Sequence, residues 1–144
     1  MTPTALHAAL VAEFVGITPT DTAGALDRFT HAEGLDVFGD DDRVSRDRQF
    51  TLEVAQPPQR FTQYSGAQWE ASFVFVAVYD SSSRDATVRL LEDSKSVDET
   101  IRLVEDNVAD VIMVDFLDAP TIESDAEGAA FLARAFTVRY SDTA

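Results

Sequence analysis

The chain has 144 residues, 45% of them hydrophobic, which is enough for one domain with a single core. Its 26 Asp and Glu outnumber 11 Lys and Arg, and the resulting net charge of −15 disfavours ordinary binding to nucleic-acid phosphates or anionic membranes. Because the chain contains no cysteine, disulfides, thiolate metal sites and cysteine nucleophiles are excluded.

The first predicted element is a helix over residues 4–15. Leu6, Leu10 and Phe14 fall four residues apart and form one apolar stripe, and Gly16 ends the pattern. This segment lacks a basic leading region, so it does not resemble a signal peptide. No apolar run in the chain approaches the roughly 18 residues that a membrane-spanning helix needs. A second short helix is predicted over residues 20–30.

Residues 34–47 are rich in Asp, Arg, Ser and Gly and are predicted to form an exposed, mobile loop. The acidic residues Asp40, Asp41 and Asp42, with Asp36 nearby, could hold Ca²⁺, but their spacing does not follow an EF-hand loop. A solvated acidic loop is therefore the favoured interpretation. The arginines at the end of the loop could pair with an acidic face of a neighbouring subunit, or they could simply neutralise the aspartates of the loop. The candidate subunit-interface residues are Asp40, Asp41, Asp42, Arg43, Arg46 and Arg48.

Two strands are predicted next. In residues 48–54, Phe50, Leu52 and Val54 alternate with polar residues, and two prolines end the pattern. The strand over residues 68–79 is apolar on both faces, so it is expected either to be central in its sheet or to have its second face covered by a helix or a partner.

A helix over residues 96–107 is predicted from a capping box, with Ser96 as the cap and Glu99 reaching back to it. Residues 87–91 before it are ambiguous. Hydrophobic runs then predict strands over residues 111–117 and 131–140, separated by a polar, proline-containing turn region.

This order, α-(α)-β-β-α-β-β, predicts a single α+β domain over residues 1–144. Its sheet is expected to be antiparallel or mixed, with about four strands and with helices packed on one face. Trp69→Ala is predicted to unfold the domain, at a cost of roughly 3–5 kcal/mol, because it truncates a large core residue. The predicted core consists of Phe50, Leu52, Trp69, Phe73, Phe75, Tyr79, Ile101, Val104, Phe136 and Val138.

Few residues of the chain match a catalytic, cofactor-binding or metal-binding pattern. His7 and His31 are the only histidines, and no metal-binding pair of the HExxH type occurs. Nucleophile-elbow, dinucleotide-binding and P-loop motifs are also missing. We therefore predict no catalytic residue, no cofactor and no metal site, and we expect a protein that is not an enzyme.

Several patterns then occur in a recognisable order: an N-terminal helix, a strand with RxFxLEV, a long WxxSFVFVAVYD strand, an EDSxxVxxTI helix, a hydrophobic strand and a closing FTVRY strand. This order resembles the tail terminator, or tail completion, proteins of long-tailed phages and related phage-like particles. The resemblance extends over residues 4–140 and depends on patterns of strand and helix, since no single residue is diagnostic.

The resemblance implies a virion protein of the tail or neck, assembled in the host cytoplasm. Its homo-oligomeric ring, a hexamer in this family, caps the tail tube and joins it to the head-completion or connector protein. DNA passes through the pore without specific binding, and an acidic lumen suits that passage.

Three alternatives remain open at this point. The chain could be another neck component or a tail-tube subunit. It could also be a small-ligand-binding or enzymatic α+β domain that uses the aromatic strand as a pocket wall. Finally, the Asp-rich, Lys-poor composition also suits a halophilic housekeeping domain.

Overall fold

The computed structural model describes residues 1–19, 28–32, 48–60, 67–80, 86–124 and 129–142. Their helices and strands form a mixed α+β fold with two helices and one six-stranded sheet. The elements in chain order are α1 (Pro3–Val15), β1 (Thr30–His31), β2 (Gln49–Arg60), β3 (Gln68–Asp80), α2 (Ala86–Asn107), β4 (Val111–Phe116), β5 (Thr121–Ser124) and β6 (Ala129–Ser141).

Helix α1 follows the apolar stripe in the sequence. The Thr2 hydroxyl caps it by accepting a hydrogen bond from the Ala5 N–H at 3.2 Å. Pro3 occupies the first turn, where its missing N–H costs no helical hydrogen bond. Leu6, Leu10 and Phe14 are all buried against the sheet.

Helix α2 has 22 residues and is almost twice as long as the sequence predicted. It begins at Ala86, so the capping box predicted at Ser96 is wrong: Ser96 lies inside the helix, where its carbonyl accepts a hydrogen bond from the Thr100 hydroxyl at 2.8 Å. The apolar stripe extends back to Leu90, but a carboxylate, Asp93, stands on the buried side and interrupts it. Neither described helix is both long enough and apolar enough to cross a membrane.

The sheet has the strand order β1-β2-β3-β6-β4, and β5 pairs with β6 beyond the end of β4. Strand β3 is central, as its two apolar faces predicted. The expected strand number of about four is too low, because the very short β1 and β5 carry no clear strand pattern. Strand β1 is parallel to β2, and every other pairing is antiparallel. Most of the helix predicted over residues 20–30 lies outside the described residues.

Both helices pack on one face of the sheet. Aromatic rings dominate the contact with α1: the Phe14 ring lies 4.5 Å from that of Phe75 and 6.2 Å from that of Phe136. The stripe of α2 that includes Ile101 and Val104 completes the same buried cluster. The predicted core residues that are buried here are Phe50, Leu52, Phe73, Phe75, Tyr79, Ile101, Val104, Phe136 and Val138.

Trp69 is the exception among the predicted core residues. It is only partly buried and packs against the edge of the cluster, near the start of β3. Its position explains the difference, because Trp69 pairs with Arg60 at the far end of β2, where that strand is exposed to solvent. We therefore expect Trp69→Ala to cost less than the roughly 3–5 kcal/mol of a fully buried core residue.

The opposite face of the sheet carries small and medium apolar side chains. Val74, Val76, Ala133 and Ala135 are half-buried there, and no described helix covers them. Towards one end of this face, the Ser72 and Thr137 hydroxyls share a hydrogen bond of 2.9 Å across β3 and β6.

Two truncations test this arrangement of the core. Phe75→Ala should lower the free energy of unfolding by about 3–5 kcal/mol, because it empties the centre of the aromatic cluster. Trp69→Ala should cost less, since part of that side chain is already in water. Urea denaturation of both variants measures the difference, with exposed Val88→Ala as the control that stays within about 0.5 kcal/mol of wild type. An equal or larger loss for Trp69→Ala would contradict this description.

Candidate functional site

The two edges of the sheet are the candidate functional surfaces. We call the first the basic edge; it comprises Arg28, β1 and the outer side of β2. We call the second the acidic edge; it comprises Asp110, β4, the turn after it and β5. Strands β3 and β6 separate the two, so they lie on opposite sides of the domain.

The basic edge is partly closed by hydrogen bonds. The Ala32 N–H donates to the Phe50 carbonyl at 2.8 Å, which extends the short β1–β2 pairing. One step further along β2, the His7 ring reaches over from α1, with Nε2 2.8 Å from the Leu52 carbonyl oxygen. Because a carbonyl can only accept, His7 carries a proton on Nε2.

Beyond Leu52 the basic edge is open to solvent. Val54 is 57% exposed, and Pro57 and Pro58 follow it. The prolines lack an N–H, so this part of the edge is poorly suited to adding a further strand through backbone hydrogen bonds. Any partner therefore contacts it mainly through side chains. Arg28 and Arg60 supply positive charge at the two ends of the edge, and both are exposed.

A groove of about 280 Å³ runs between the start of α1 and β2, beneath Val54. Pro58 and His7 contribute to its walls, and Phe73 and Tyr140 also line it. Tyr140 is fully buried, and among the described residues its hydroxyl has no hydrogen-bond partner. Burial raises the pKa of this hydroxyl, and the nearby Asp142 carboxylate raises it further. The groove is therefore mainly apolar, and of the residues that the structure describes, Tyr140 contributes an unsatisfied hydroxyl to its wall.

The acidic edge combines carboxylates with large exposed apolar residues. Ile112 is 44% exposed, and Leu117 and Ile122 are each 50% exposed. The exposed acidic residues among them are Asp110, Asp115, Asp118 and Glu123. Large exposed apolar side chains among charged ones make this edge a candidate for contact with another protein.

Arg134 holds the turn between β4 and β5 in place. Its guanidinium lies 4.0 Å from the centre of the Phe116 ring and donates to the Asp98 carboxylate of α2 at 2.9 Å. The same group donates to the Asp118 carbonyl. On β4 itself, the Val114 N–H donates to the Glu105 carboxylate of α2 at 2.7 Å. The acidic edge is thus positioned by α2 and β6, and its apolar side chains remain exposed.

A buried polar cluster joins the start of β2 to β3 and α2. The Arg48 guanidinium forms two hydrogen bonds with the Asp93 carboxylate, at 2.7 Å and 3.0 Å, and the Tyr79 hydroxyl donates to the same carboxylate at 2.6 Å. All three side chains are almost completely buried. Arg48 has a left-handed backbone, with φ of 66°, and this conformation turns the chain into β2.

This cluster corrects the role predicted for Arg48. The guanidinium of Arg48 is not on the surface, where a neighbouring subunit could reach it, because the buried Asp93 carboxylate binds it inside the domain. Sequence reasoning missed the pair, since the two residues lie 45 positions apart. The only available signal was a carboxylate on the apolar stripe of a helix.

The other predicted interface residues, Asp40, Asp41, Asp42, Arg43 and Arg46, lie outside the described residues, so their role stays a prediction. His7 and His31 do lie together, with ring centres 6.2 Å apart. Within the described ranges, no group of three or more His, Asp or Glu residues is arranged to hold a metal ion.

The chain was also compared with known proteins. No protein-family model matches the chain. A search of curated proteins gives no match either. Functional inference therefore depends on the described surfaces and on the resemblance in the order of elements.

Two substitutions test the buried cluster. Asp93→Ala should lower the free energy of unfolding by about 3–5 kcal/mol, because it removes the carboxylate that neutralises a buried guanidinium. Tyr79→Phe should cost about 1.5–3 kcal/mol, the value of one hydrogen bond to a charged group. Chemical denaturation measures both losses. A loss below about 1 kcal/mol for Asp93→Ala would show that Arg48 does not depend on this carboxylate.

Proposed function

We propose that this protein is a structural assembly subunit, the tail terminator of a long-tailed phage or a related phage-like particle. In this proposal its copies form a ring, with six members as in the family that it resembles. The ring caps the tail tube and joins it to the head-completion or connector protein. Its place is the virion, at the junction of tail and neck.

One observation carries the proposal: two different, exposed surfaces lie on opposite sides of the same sheet. The acidic edge presents Ile112, Leu117 and Ile122, and the basic edge presents Val54 above an apolar groove. A subunit of a closed ring needs two such surfaces, because each copy contacts one neighbour with one side and the next neighbour with the other. The resemblance in element order supports the same function.

The acidity of the chain agrees with a pore through which DNA passes. A net charge of −15 leaves few positive groups to bind phosphates. Since phosphate contacts supply most of the sequence-independent affinity for DNA, an acidic lumen would let the duplex move without being held. A general effect of acidity on solubility is compatible with this role.

Native mass spectrometry and negative-stain electron microscopy of the purified protein test the proposal. We expect discrete rings of six copies, either alone or on the ends of tubes formed by the cognate tail-tube protein. Open tubes made of this chain alone would indicate a tail-tube subunit instead. A monomer that neither forms rings nor caps tubes would contradict the proposal.

The groove beneath Val54 favours a second candidate function, the binding of a small apolar ligand that accepts a hydrogen bond from Tyr140. A thermal-shift screen with apolar carboxylic acids and amides tests it. Stabilisation that disappears in Tyr140→Phe, in a protein that stays monomeric, would support ligand binding over assembly.

A further inference from the structure

We infer that copies of this chain associate head to tail, with the basic edge of one copy against the acidic edge of the next. This inference depends on the proposed function, since it specifies which surfaces form the ring. It is drawn from residues that lie at matching levels on the two edges. By level we mean a position along the strands. Residues that are connected by a series of strand pairs lie at the same level, because paired residues lie side by side across a sheet.

The first matching level contains opposite charges. Thr30 of the basic edge and Glu123 of the acidic edge lie at the same level, connected through the pairs Thr30–Gln49, Gln49–Val78, Val78–Phe131 and Phe131–Glu123. Arg28 precedes Thr30 by two residues, and both Arg28 and Glu123 are exposed. When a second copy extends the sheet at the same level, Arg28 of one copy faces Glu123 of the other.

A second level also contains opposite charges, at the other end of the sheet. Arg60 and Val111 are connected through the pairs Arg60–Trp69, Trp69–Tyr140 and Tyr140–Val111. The exposed Asp110 directly precedes Val111. Arg60 of one copy would therefore lie close to Asp110 of its neighbour.

The level between them is apolar on both edges. Val54 and Phe116 are connected through the pairs Val54–Phe73, Phe73–Phe136 and Phe136–Phe116. Leu117, which is 50% exposed, follows Phe116 directly, and Val54 is 57% exposed. The apolar groove lies beneath Val54, and it is lined by Tyr140, whose hydroxyl has no hydrogen-bond partner within the described part of the chain. The neighbouring copy covers this groove with its edge at the level of Phe116, which lies on the helix side of the sheet, whereas Leu117 lies on the opposite face, beside Ala135.

Strand direction is compatible with the same contact. Strands β2, β3, β6 and β4 are antiparallel at each step, so β2 and β4 run in opposite directions. A neighbour in the same orientation thus places its β2 antiparallel to β4, with the helices of both copies on the same side. Pro57 and Pro58 limit backbone pairing there, so the apolar and charged side chains make the contact.

Because the two edges are different surfaces, the contact is heterologous and produces a ring when the rotation between copies closes.

A mixing experiment tests this geometry. Val54→Asp damages the basic edge, and Leu117→Asp damages the acidic edge. Each variant alone should be monomeric by native mass spectrometry. An equimolar mixture should form dimers and no larger species, because only one intact contact remains.

Matched controls accompany the two variants. Val88→Asp changes a residue of α2 that is 59% exposed, so it matches the exposure of Val54 but lies on neither edge. It should form rings as wild type does. Circular dichroism melting of all variants verifies folding.

A charge exchange adds a second test. Arg28→Glu and Glu123→Lys should each raise several-fold the concentration at which rings form at low salt, and the double variant should restore assembly.

The outcomes separate this inference from the proposed function. Rings formed by Val54→Asp alone or by Leu117→Asp alone would overturn the edge-to-edge contact, although the chain would still be a ring subunit. Dimers formed by Leu117→Asp alone would overturn the head-to-tail arrangement, since they would require two basic edges to meet. Failure of the wild-type protein to assemble, with or without tubes, rejects the proposed function itself.

Discussion

The pairing of β3 with β6 is the constraint on which the rest of the structure depends. Thirteen consecutive residue pairs join these strands, from Gln68–Ser141 to Asp80–Ala129. Strand β2 pairs with the outer side of β3, whereas β4 and β5 pair with the outer side of β6. The central pairing therefore fixes the level of each residue on one edge relative to the residues on the other edge. A shift of one residue would also exchange the two faces of the sheet and expose the aromatic core.

The helix side of the sheet is stabilised mainly by packing, with one polar contact in its interior. Phe14 and Phe75 anchor α1, and the ion pair between Arg48 and Asp93 ties the start of β2 to α2. A buried ion pair adds little net stability compared with an apolar pair, but it disfavours other positions of the charged groups. The apolar stripes of both helices and this ion pair are thus buried in the interior of the domain. The helices also expose apolar residues, including Leu91 and Leu103, but the edges combine exposed apolar side chains with charge on opposite sides of the sheet, where a ring subunit would make its contacts.

Strong periodicity made much of this fold predictable, as in α1 and β3, where the apolar residues recur without interruption, and in β6, where Arg134 alone interrupts the buried face. The first half of α2 was not predicted, because Asp93 occupies the buried side and hides the stripe that begins at Leu90. Strand β1 has two residues and exists only through its pairing with β2, so local sequence contains no signal for it. The sequence suggested an assembly surface in the loop over residues 34–47, whereas the two edges arise from strand order, which no local pattern encodes.

Disulfide cross-linking tests the head-to-tail arrangement most directly, and the absence of native cysteines leaves no background reaction. The experiment introduces Glu53→Cys and Leu117→Cys into one chain, because the pairs Glu53–Val74 and Val74–Ala135 and the hydrogen bond between Leu117 and Ala135 place both residues at one level and on the same face. The assembled protein is oxidised, and the products are separated on a denaturing gel. The arrangement predicts a ladder of covalent oligomers up to the full ring for the double variant, and monomers for each single variant. Efficient dimers from either single variant, or no cross-linking of assembled rings in the double variant, would contradict it.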